Sequence, residues 1–527
     1  MPEGNRQPPR DYGIIYNWDG APLHYSEFPQ SQEQFLDKVY APIEDTQIGA
    51  HFWSVGGHET EWPTENLPYT GDSVGRVYDS VLAVRHDEGV RAMFERGENP
   101  YQAMVDRGHE LGVDVYCSVR MNDNHFYGIL PQDMAKTVRH GLTQIRKDHP
   151  EWCLQPDDVP EQRGIGSWNM AVPEVREHRL QYITEACQQA DWDGVEIDWQ
   201  RHPFHLPEHD GYRLRYTLTD LQRAIREMTD RIANERGKPF YVAVRVAATT
   251  ESCRRIGYDV KTWARDGLCD IVITAGGSGT DPDTEVEAFR ELLDDTGIKL
   301  YAGYDTDGRQ DAKRLVPYRT WQHAWLRATA AGHWDRGVDG VYVFNWHANS
   351  QTRRDLLTTI GSSETLKGRD KIYASIHRGP PASTDPAAQG GLNDRIYGET
   401  AVVLYRTLTE DGPLFHVSVH DDVVAESGAG RLAGVELQVE IEHFAPDDKV
   451  VVTLDGEALG DPSIRDVAAE DPNVPQDVSE NSWLVWSLTP EQAARGTHKV
   501  KFVLVDRNVR IGTELVIAHV EIHVNYN

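Results

Sequence analysis

A chain of 527 residues is too long to be organised by one ordinary hydrophobic core, so its length predicts two or more domains. Hydrophobic residues make up 39% of the sequence and charged residues 26%, which is typical of a soluble globular protein. No apolar run approaches the roughly 20 residues that a membrane span needs. The formal net charge of -31 argues against nucleic acid or an anionic membrane surface as the main partner.

The cysteines and the amino-terminal residues bear on the cellular compartment. The five cysteines are odd in number and lack Cys-x-x-Cys spacing: Cys117, Cys153, Cys187, Cys253 and Cys269. We therefore expect buried free thiols in a reducing compartment. Residues 1–10 are polar and proline-rich with no apolar stretch behind them, so no secretory signal is visible. The sequence predicts a cytoplasmic protein, or a secreted one if its amino terminus has been trimmed, and signals no cofactor.

Strand-like and helical patterns alternate from about residue 12 to residue 350. The helical patterns cover residues 31–39, 99–112, 173–190 and 218–228, and residues 58–90 have the composition of a large loop. Short apolar runs predict eight strands, at residues 13–18, 48–54, 113–119, within 191–203, and at 239–246, 270–274, 298–303 and 340–344.

This alternation predicts a (β/α)8 barrel over residues 1–365. A doubly wound open sheet is the alternative, but no strand is followed by a glycine-rich nucleotide-binding fingerprint. Polar and aromatic residues gather after the carboxyl ends of nearly all strands, which favours the barrel.

The helical pattern disappears beyond about Lys367. Seven short strands punctuated by turn signals predict an antiparallel β-sandwich, an accessory domain over residues 366–527. The best candidate for a linker or surface loop is the proline-rich segment 379–386. The expected strands are 400–405, 414–419, 434–441, 449–454, 482–488, 499–505 and 514–524.

The fourth predicted strand carries the strongest functional signal. Val195, Ile197 and Trp199 alternate with Glu196 and Asp198, so both carboxyl groups share one face of the strand. If that face points into the barrel, the two acids lie at the mouth of a pocket. Burying them is unfavourable unless they are paired or used. Trp199, which shares the apolar face, is expected in the core.

Collecting the strand ends gives the candidate site residues. The candidate catalytic carboxylates are Asp198, Glu196, Asp305 and Asp123. The candidate substrate-binding residues are Arg120, Asn122, Trp53, Arg201, His202, Arg245, Asn345 and Trp346. Such a set, with carboxylates, hydrogen-bond donors and flat rings, suits a sugar-binding cleft.

Each candidate carboxylate also has a structural interpretation. Asp198 can be a barrel-interior acid held by Arg245 or Arg201, and Glu196 can serve to tune Asp198. Asp305 lies near a turn, and Asp123 can cap a loop. A metal site formed by the nearby histidines is disfavoured because prolines and a glycine surround them: His202, His205 and His209.

Two family resemblances involve the fourth strand. Asp193-Gly-Val-Glu-Ile-Asp-Trp-Gln200 resembles the D-G-x-D-x-D-x-E signature of the family-eighteen chitinases, with Gln200 where that family has its catalytic glutamic acid. The run Asp193-Gly-x-x-x-Asp198-x-x-Arg201-x-Pro203 resembles the Asp-x-x-Arg-x-Pro motif of uncharacterised glycosyl-hydrolase-like barrel families. Residues 120–123, 173–175 and 344–345 are also similar to that group. The resemblance covers most of residues 11–350 and implies a carbohydrate-active barrel.

We therefore predict a glycoside hydrolase that acts on an oligo- or polysaccharide by carboxylate general acid/base catalysis at the carboxyl-terminal face of the barrel. One alternative is a non-catalytic carbohydrate-binding barrel, suggested by Gln200. Another is a polysaccharide lyase that uses Arg120 or Arg201 to hold a uronate. The predicted partner is a carbohydrate, and the sequence leaves homo-oligomerisation open.

Overall fold

The computed structural model describes residues 7–18, 28–159, 164–275, 280–305, 320–344, 346, 351–375, 402–406, 412–466 and 481–527. At residues 305, 320–322, 351–353, 466 and 481 only the backbone is considered. Every structural statement below concerns these residues.

Eight parallel strands form a closed barrel, because the first strand pairs with both the second and the eighth. This confirms the predicted (β/α)8 architecture, and the predicted strands lie within a few residues of the observed ones. The strands are β1 (Ile14–Trp18), β2 (Ile48–Ser54), β3 (Asp114–Arg120), β4 (Gly194–Asp198), β5 (Tyr241–Val246), β6 (Ile271–Thr274), β7 (Lys299–Asp305) and β8 (Gly340–Phe344).

Several helices begin where the sequence supplies capping groups. Ser31 caps the first helix with a complete capping box, and the Asn99 side chain accepts hydrogen bonds from two backbone amides at the start of the third. The helices are α1 (Gln32–Tyr40), α2 (Val81–Glu95), α3 (Pro100–Glu110), α4 (Gln144–Asp148), α5 (Pro173–Cys187), α6 (Gly211–Arg236), α7 (Thr250–Ile256), α8 (Val260–Arg265), α9 (Val286–Leu292), α10 (Thr320–Asp335), α11 (Gln351–Leu357), α12 (Ser363–Leu366) and α13 (Val423–Gly428).

The prediction of a loop over the whole of residues 58–90 is wrong at its carboxyl-terminal end. Helix α2 begins at Val81, where the Ser80 side chain accepts a hydrogen bond from the backbone N–H of Leu82. Val90 and Met93, three residues apart, are buried on one face of this helix. Val81 and Leu82 in its first turn are 66% and 45% exposed, so the apolar residues there do not mark a buried helical face.

Every second side chain along each strand points into the barrel, and these side chains fill its interior. Inward positions form one apolar cluster that includes Ile15, Phe52, Tyr116, Tyr342 and Phe344. In β4 the inward positions are occupied instead by Gly194 and the two acids Glu196 and Asp198. A Cβ atom at Gly194 would lie 2.4 Å from the carbonyl oxygen of Tyr241, so the close packing of β4 requires glycine there. Trp199 is buried, as predicted for a core residue.

The carboxyl-terminal residues form two antiparallel sheets, which confirms the predicted β-sandwich. One sheet has the order β10-β18-β12-β16-β15 with β9 also on β18, and the other has the order β11-β17-β13-β14. The strands are β9 (Lys371–Ala374), β10 (Val402–Val403), β11 (Leu414–Val419), β12 (Leu432–Glu442), β13 (Lys449–Leu454), β14 (Glu457–Ala458), β15 (Ser463–Asp466), β16 (Asn481–Leu488), β17 (Gly496–Asp506) and β18 (Val516–Tyr526).

Contacts between residues divide the chain into two compact units. The first unit contains β1–β8, and the second contains the two antiparallel sheets together with β9. The second unit also contains α10, which lies between β7 and β8 in sequence and packs against β9. The domain boundary predicted at residue 365 stays a prediction.

Two further observations complete the description of the fold. All five cysteines are buried free thiols. Within the described ranges, no helix is long and apolar enough to cross a membrane.

Candidate active site

Three neighbouring strands carry charged side chains at the same level of the barrel. In the parallel register, Asp198 of β4 lies between Arg120 of β3 and Arg245 of β5. One layer deeper, Glu196 lies beside Ser118 of β3. All of these residues are buried. They gather at the carboxyl ends of the strands, which is where (β/α)8 barrels carry their functional groups.

Glu196 is a buried carboxyl group with an unusually high proton affinity. Its Oε2 atom accepts a hydrogen bond from Asn17 Nδ2 at 2.7 Å and another from Ser118 Oγ. Burial, and then the negative charge of Asp198, raise the pKa of Glu196 to about 7 against an ordinary value of 4.5, although the Ser118 hydrogen bond acts in the opposite direction. Near neutral pH this carboxyl group can therefore hold a proton.

Asp198 has a very different environment two residues along the same strand. Its Oδ1 atom accepts hydrogen bonds from the backbone N–H groups of Gln200 at 3.0 Å and Arg201 at 2.9 Å. Its Oδ2 atom lies 3.2 Å from Arg245 Nη1 in a buried ion pair. These donors compensate a negative charge on Asp198. Asp198 and Glu196 thus form a pair of carboxyl groups with separate electrostatic roles.

Asp123 lies in the loop after β3 and is surrounded by cationic and imidazole groups. Arg120 Nη1 donates a hydrogen bond to its Oδ2 atom at 2.9 Å, and Arg201 Nε lies 3.8 Å from its Oδ1 atom. Burial alone would raise the pKa of Asp123, but Arg120, His125 and Arg201 hold it well below its usual range. Asp123 is therefore an ionised carboxylate that holds the two arginines.

Arg201 and two histidines complete the ring around Asp123. Arg201 Nη2 donates to His125 Nε2 at 3.0 Å, and His125 Nδ1 lies 3.0 Å from Asp123 Oδ1. His202 Nδ1 accepts a hydrogen bond from the backbone N–H of Asn124 at 3.3 Å. Burial lowers the pKa of His202 well below its ordinary value, so its imidazole is neutral.

The side chain of Phe344, at the end of β8, has three guanidinium groups around it. The guanidinium carbon of Arg245 lies 4.2 Å from the ring centroid, that of Arg201 at 5.7 Å and that of Arg120 at 6.0 Å. An aromatic face attracts cations at such distances. We call these three arginines the arginine cluster.

Two of the predicted substrate-binding residues make contacts within the protein, and their binding role stays a prediction. Trp53 is on the outward side of β2, where its ring packs 5.5 Å from that of Phe35 in α1. The Asn122 side chain donates to the carbonyl oxygens of Trp168 and Phe204 and accepts from the N–H of Trp168. These contacts use both ends of the amide to hold the loops together.

The remaining candidates lie at the ends of β7 and β8. The backbone of Asp305 ends β7 and pairs with Phe344, while its side chain lies outside the described residues, as does Asn345. Trp346 is buried, and its carbonyl oxygen accepts a hydrogen bond from the Tyr16 hydroxyl at 2.9 Å. The roles predicted for these residues stay predictions.

Sequence reasoning assigned no role to two residues that shape the site. Ser118 donates to Glu196, and Arg179 of α5 donates to the carbonyl oxygen of Arg120 at 3.1 Å. The inward alternation of β3 could have identified Ser118, because it places this residue two positions before Arg120 on the same face. Nothing in the local sequence pattern indicates where Arg179 donates.

The histidines that follow β4 do not converge on one point. His205 is buried and bonds through Nε2 to the Trp199 carbonyl oxygen at 2.7 Å and through Nδ1 to Asn122. Among the residues that the structure describes, no group of three or more His, Cys, Asp or Glu side chains is arranged to hold a metal ion.

Comparison with known proteins finds only distant structural similarity. No family model matches the sequence, and a search among curated proteins also gives no match. A family 18 N-acetylglucosaminidase from Paenibacillus barengoltzii is 11% identical, with 66% of this chain and 98% of that chain covered and a TM-score of 0.36. A family 27 β-L-arabinopyranosidase from Geobacillus stearothermophilus is 12% identical, with 93% and 96% covered and a TM-score of 0.38.

A third similar structure is a cycloisomaltooligosaccharide glucanotransferase from a Paenibacillus species. It is 11% identical over 96% of this chain, with a TM-score of 0.33, and the chain spans 57% of its length. We base no functional argument on these likenesses. The closed barrel itself establishes the fold.

Proposed function

We propose that the barrel is a glycoside hydrolase that binds an oligo- or polysaccharide at its carboxyl-terminal face and cleaves a glycosidic bond by carboxylate general acid/base catalysis. The observation that carries this proposal is the contrast between Glu196 and Asp198. One has a pKa raised to about 7, and the other is ion-paired with Arg245. Glycoside hydrolysis needs one carboxyl group that holds a proton and one that is ionised. Environments that separate two carboxyl groups in this way supply both.

In this proposal Glu196 gives its proton to the leaving oxygen, and Asp198 either attacks the anomeric carbon or activates a water molecule. Asp305 stays a candidate for a carboxylate contributed from another strand. Asp123 is unsuited to donating a proton near neutral pH because its pKa lies well below the usual range. We assign to Asp123 the holding of Arg120 and Arg201.

The experiment is product analysis on a panel of neutral and uronate-containing oligosaccharides with the wild type, Glu196→Gln and Asp198→Asn. We expect cleavage by the wild type and its loss in both variants. The matched control is Asp270→Asn. Asp270 forms another buried ion pair, 2.9 Å from Arg226, but lies at the amino-terminal end of β6, at the opposite end of the barrel.

The control separates chemistry from folding. Asp270→Asn should destabilise the barrel as Asp198→Asn does and still cleave the substrate. Cleavage retained by Asp198→Asn would refute its catalytic role. An unsaturated, ultraviolet-absorbing product from a uronate polymer would identify a lyase instead of a hydrolase.

One observation favours a second candidate, a non-catalytic carbohydrate-binding barrel. The side chains of Glu196 and Asp198 are both 0% exposed, so neither touches solvent in this conformation. If both acids serve only the interior of the barrel, the wild type will bind an oligosaccharide of the panel without cleaving any. Under that outcome the Asp198→Asn variant keeps its affinity.

A further inference from the structure

We propose that the mouth of the barrel contains a subsite for the carboxylate of an acidic sugar, with Arg201 as the group that contacts it and His125 as the residue that positions Arg201. That the anion belongs to a sugar rests on the proposed function. The subsite itself rests on the geometry of Arg201, His125 and the arginine cluster.

The hydrogen bond between Arg201 and His125 fixes the tautomer of the histidine. A guanidinium group can only donate hydrogen bonds, so His125 Nε2 accepts from Arg201 Nη2 at 3.0 Å. The imidazole proton is therefore on Nδ1, which faces Asp123 Oδ1 at 3.0 Å. Neutral His125 thus lies between the carboxylate of Asp123 and the guanidinium of Arg201, and its hydrogen bond with Arg201 sets the direction of that guanidinium.

Arg201 combines a fixed direction with access to solvent. Its side chain is 21% exposed, whereas the side chains of Arg120 and Arg245 are 7% and 2% exposed. The two buried arginines hold Asp123 and Asp198, and Arg201 is the member of the cluster that a ligand can reach. A side chain held by a neighbouring imidazole loses less conformational freedom when it binds an anion.

The chemistry of the cluster specifies the charge of the ligand. The three guanidinium groups lie within 6.0 Å of the Phe344 centroid, and an anion that reaches Arg201 is attracted by all three, in addition to the pairing that Asp123 and Asp198 already provide. The planar guanidinium fork matches the two oxygens of a carboxylate. A uronic acid brings such a carboxylate into a sugar-binding mouth, whereas a neutral sugar offers only hydroxyl groups.

The test measures binding instead of turnover, so that it can fail separately from the proposed hydrolysis. Titration calorimetry on the full chain compares oligosaccharides of galacturonate, mannuronate and glucuronate with their carboxyl-reduced, neutral counterparts. Hydrogen bonds to charged groups contribute enough that we expect at least one carboxylate form to bind about tenfold to a hundredfold more tightly than its reduced form. In Arg201→Gln the ratio of the affinity for the carboxylate form to that for the reduced form should fall to near one.

The matched control is Arg254→Gln. Arg254 is an exposed arginine of α7 that is held by Glu251 with distances of 2.7 and 2.8 Å, so it also has a carboxylate partner. This variant should keep the full preference. Equal affinity of the wild type for carboxylate and reduced forms, or no binding of either, would overturn the subsite. If a sulfated oligosaccharide binds as tightly as the carboxylate form, the assignment of the subsite to a carboxylate is overturned.

The pH dependence of the carboxylate preference tests the positioning role of His125. Asp123 raises the pKa of His125, but partial loss of hydration and the positive charges of Arg201 and Arg120 together outweigh it and hold the pKa below its ordinary value of 6.5, although the side chain is 53% exposed. Protonation replaces the acceptor at Nε2 with a second N–H, which repels Arg201. The groups that act on His125 are Asp123, Arg120, Arg201, Arg139, His202 and His58.

The preference for the carboxylate form should therefore decrease as pH falls below 6.5 towards 4.5, where a uronate remains ionised. His125→Ala should show a smaller preference with no such decrease. A preference in the wild type that is constant over this range would refute the positioning role. Cleavage of neutral oligosaccharides without any carboxylate preference would leave the hydrolase proposal standing and remove the subsite.

Discussion

Replacing Glu196 by glutamine tests whether the central carboxyl group of the site holds a proton. A glutamine side chain has the shape of a protonated glutamic acid, and its carbonyl oxygen can accept the hydrogen bonds that Asn17 and Ser118 donate. We therefore expect Glu196→Gln to fold like the wild type at pH 4.5. We expect it to become progressively more stable than the wild type as pH rises towards 8.

The magnitude follows from the raised pKa of Glu196. Below its ordinary pKa of 4.5 this carboxyl group is protonated in both the folded and the unfolded chain, so the full stabilisation is present. Between 4.5 and about 7 only the folded chain holds the proton, and stability falls as pH rises. At about 1.4 kcal/mol for each pH unit, the wild type should lose about 3 kcal/mol relative to the glutamine variant.

The assay is urea unfolding of both proteins at pH 4.5, 6, 7 and 8, followed by tryptophan fluorescence. Subtracting the free energy of unfolding of one protein from that of the other removes the contribution of the titratable groups that both contain. Glu251→Gln, a change of the same kind at an exposed carboxylate, should show no comparable trend. A difference that is independent of pH, or a wild type that gains stability relative to Glu196→Gln above pH 5, would mean that Glu196 is ionised in the folded barrel.

Three other substitutions separate catalytic from structural contacts. Asp198→Asn should abolish cleavage and lower the free energy of unfolding by about 3 kcal/mol, because Arg245 stays buried without the charge of Asp198; product analysis and urea unfolding measure the two effects. Trp53→Ala should lower the free energy of unfolding by about 3–5 kcal/mol in the same assay. Its oligosaccharide affinity should be unchanged, and a weakened affinity would contradict the outward packing of the ring. Asn122→Ala should cost about 3 kcal/mol because buried backbone groups lose their partners, and a loss below about 0.5 kcal/mol would show that these hydrogen bonds are dispensable.

The barrel could be predicted because each strand is a short apolar run that ends in polar or aromatic residues. Residues 340–344 are one such run, and both ends of β8 were predicted from it. Helix boundaries were less certain where the signal was weaker. α2 begins with apolar residues that are exposed, Val81 and Leu82, and its buried positions begin only at Asp87, so the apolar residues do not mark one buried face. The association of α10 with β9 depends on tertiary packing, which periodicity does not report.

The site was predictable along one strand but not between strands. Period-2 alternation placed Glu196 and Asp198 on one face, because that depends only on neighbouring residues. The donors to Glu196 come from β1 and β3, and their positions depend on the register between strands that are up to 179 residues apart. Trp53 stays a predicted substrate-binding residue. A strand-end position suggested the mouth of the barrel, whereas its parity along β2 places it on the outward side with His51.

The net charge of the chain and the arginine cluster act over different distances. The charge of -31 is spread over the whole molecule, and at physiological ionic strength its field is screened beyond about 8 Å. The arginines lie within 4.2–6.0 Å of one ring, so a ligand among them responds to these groups more than to the distant acidic surface. Net charge therefore argues against a polyanion that must contact a broad surface. It does not argue against a single carboxylate that enters the mouth of the barrel.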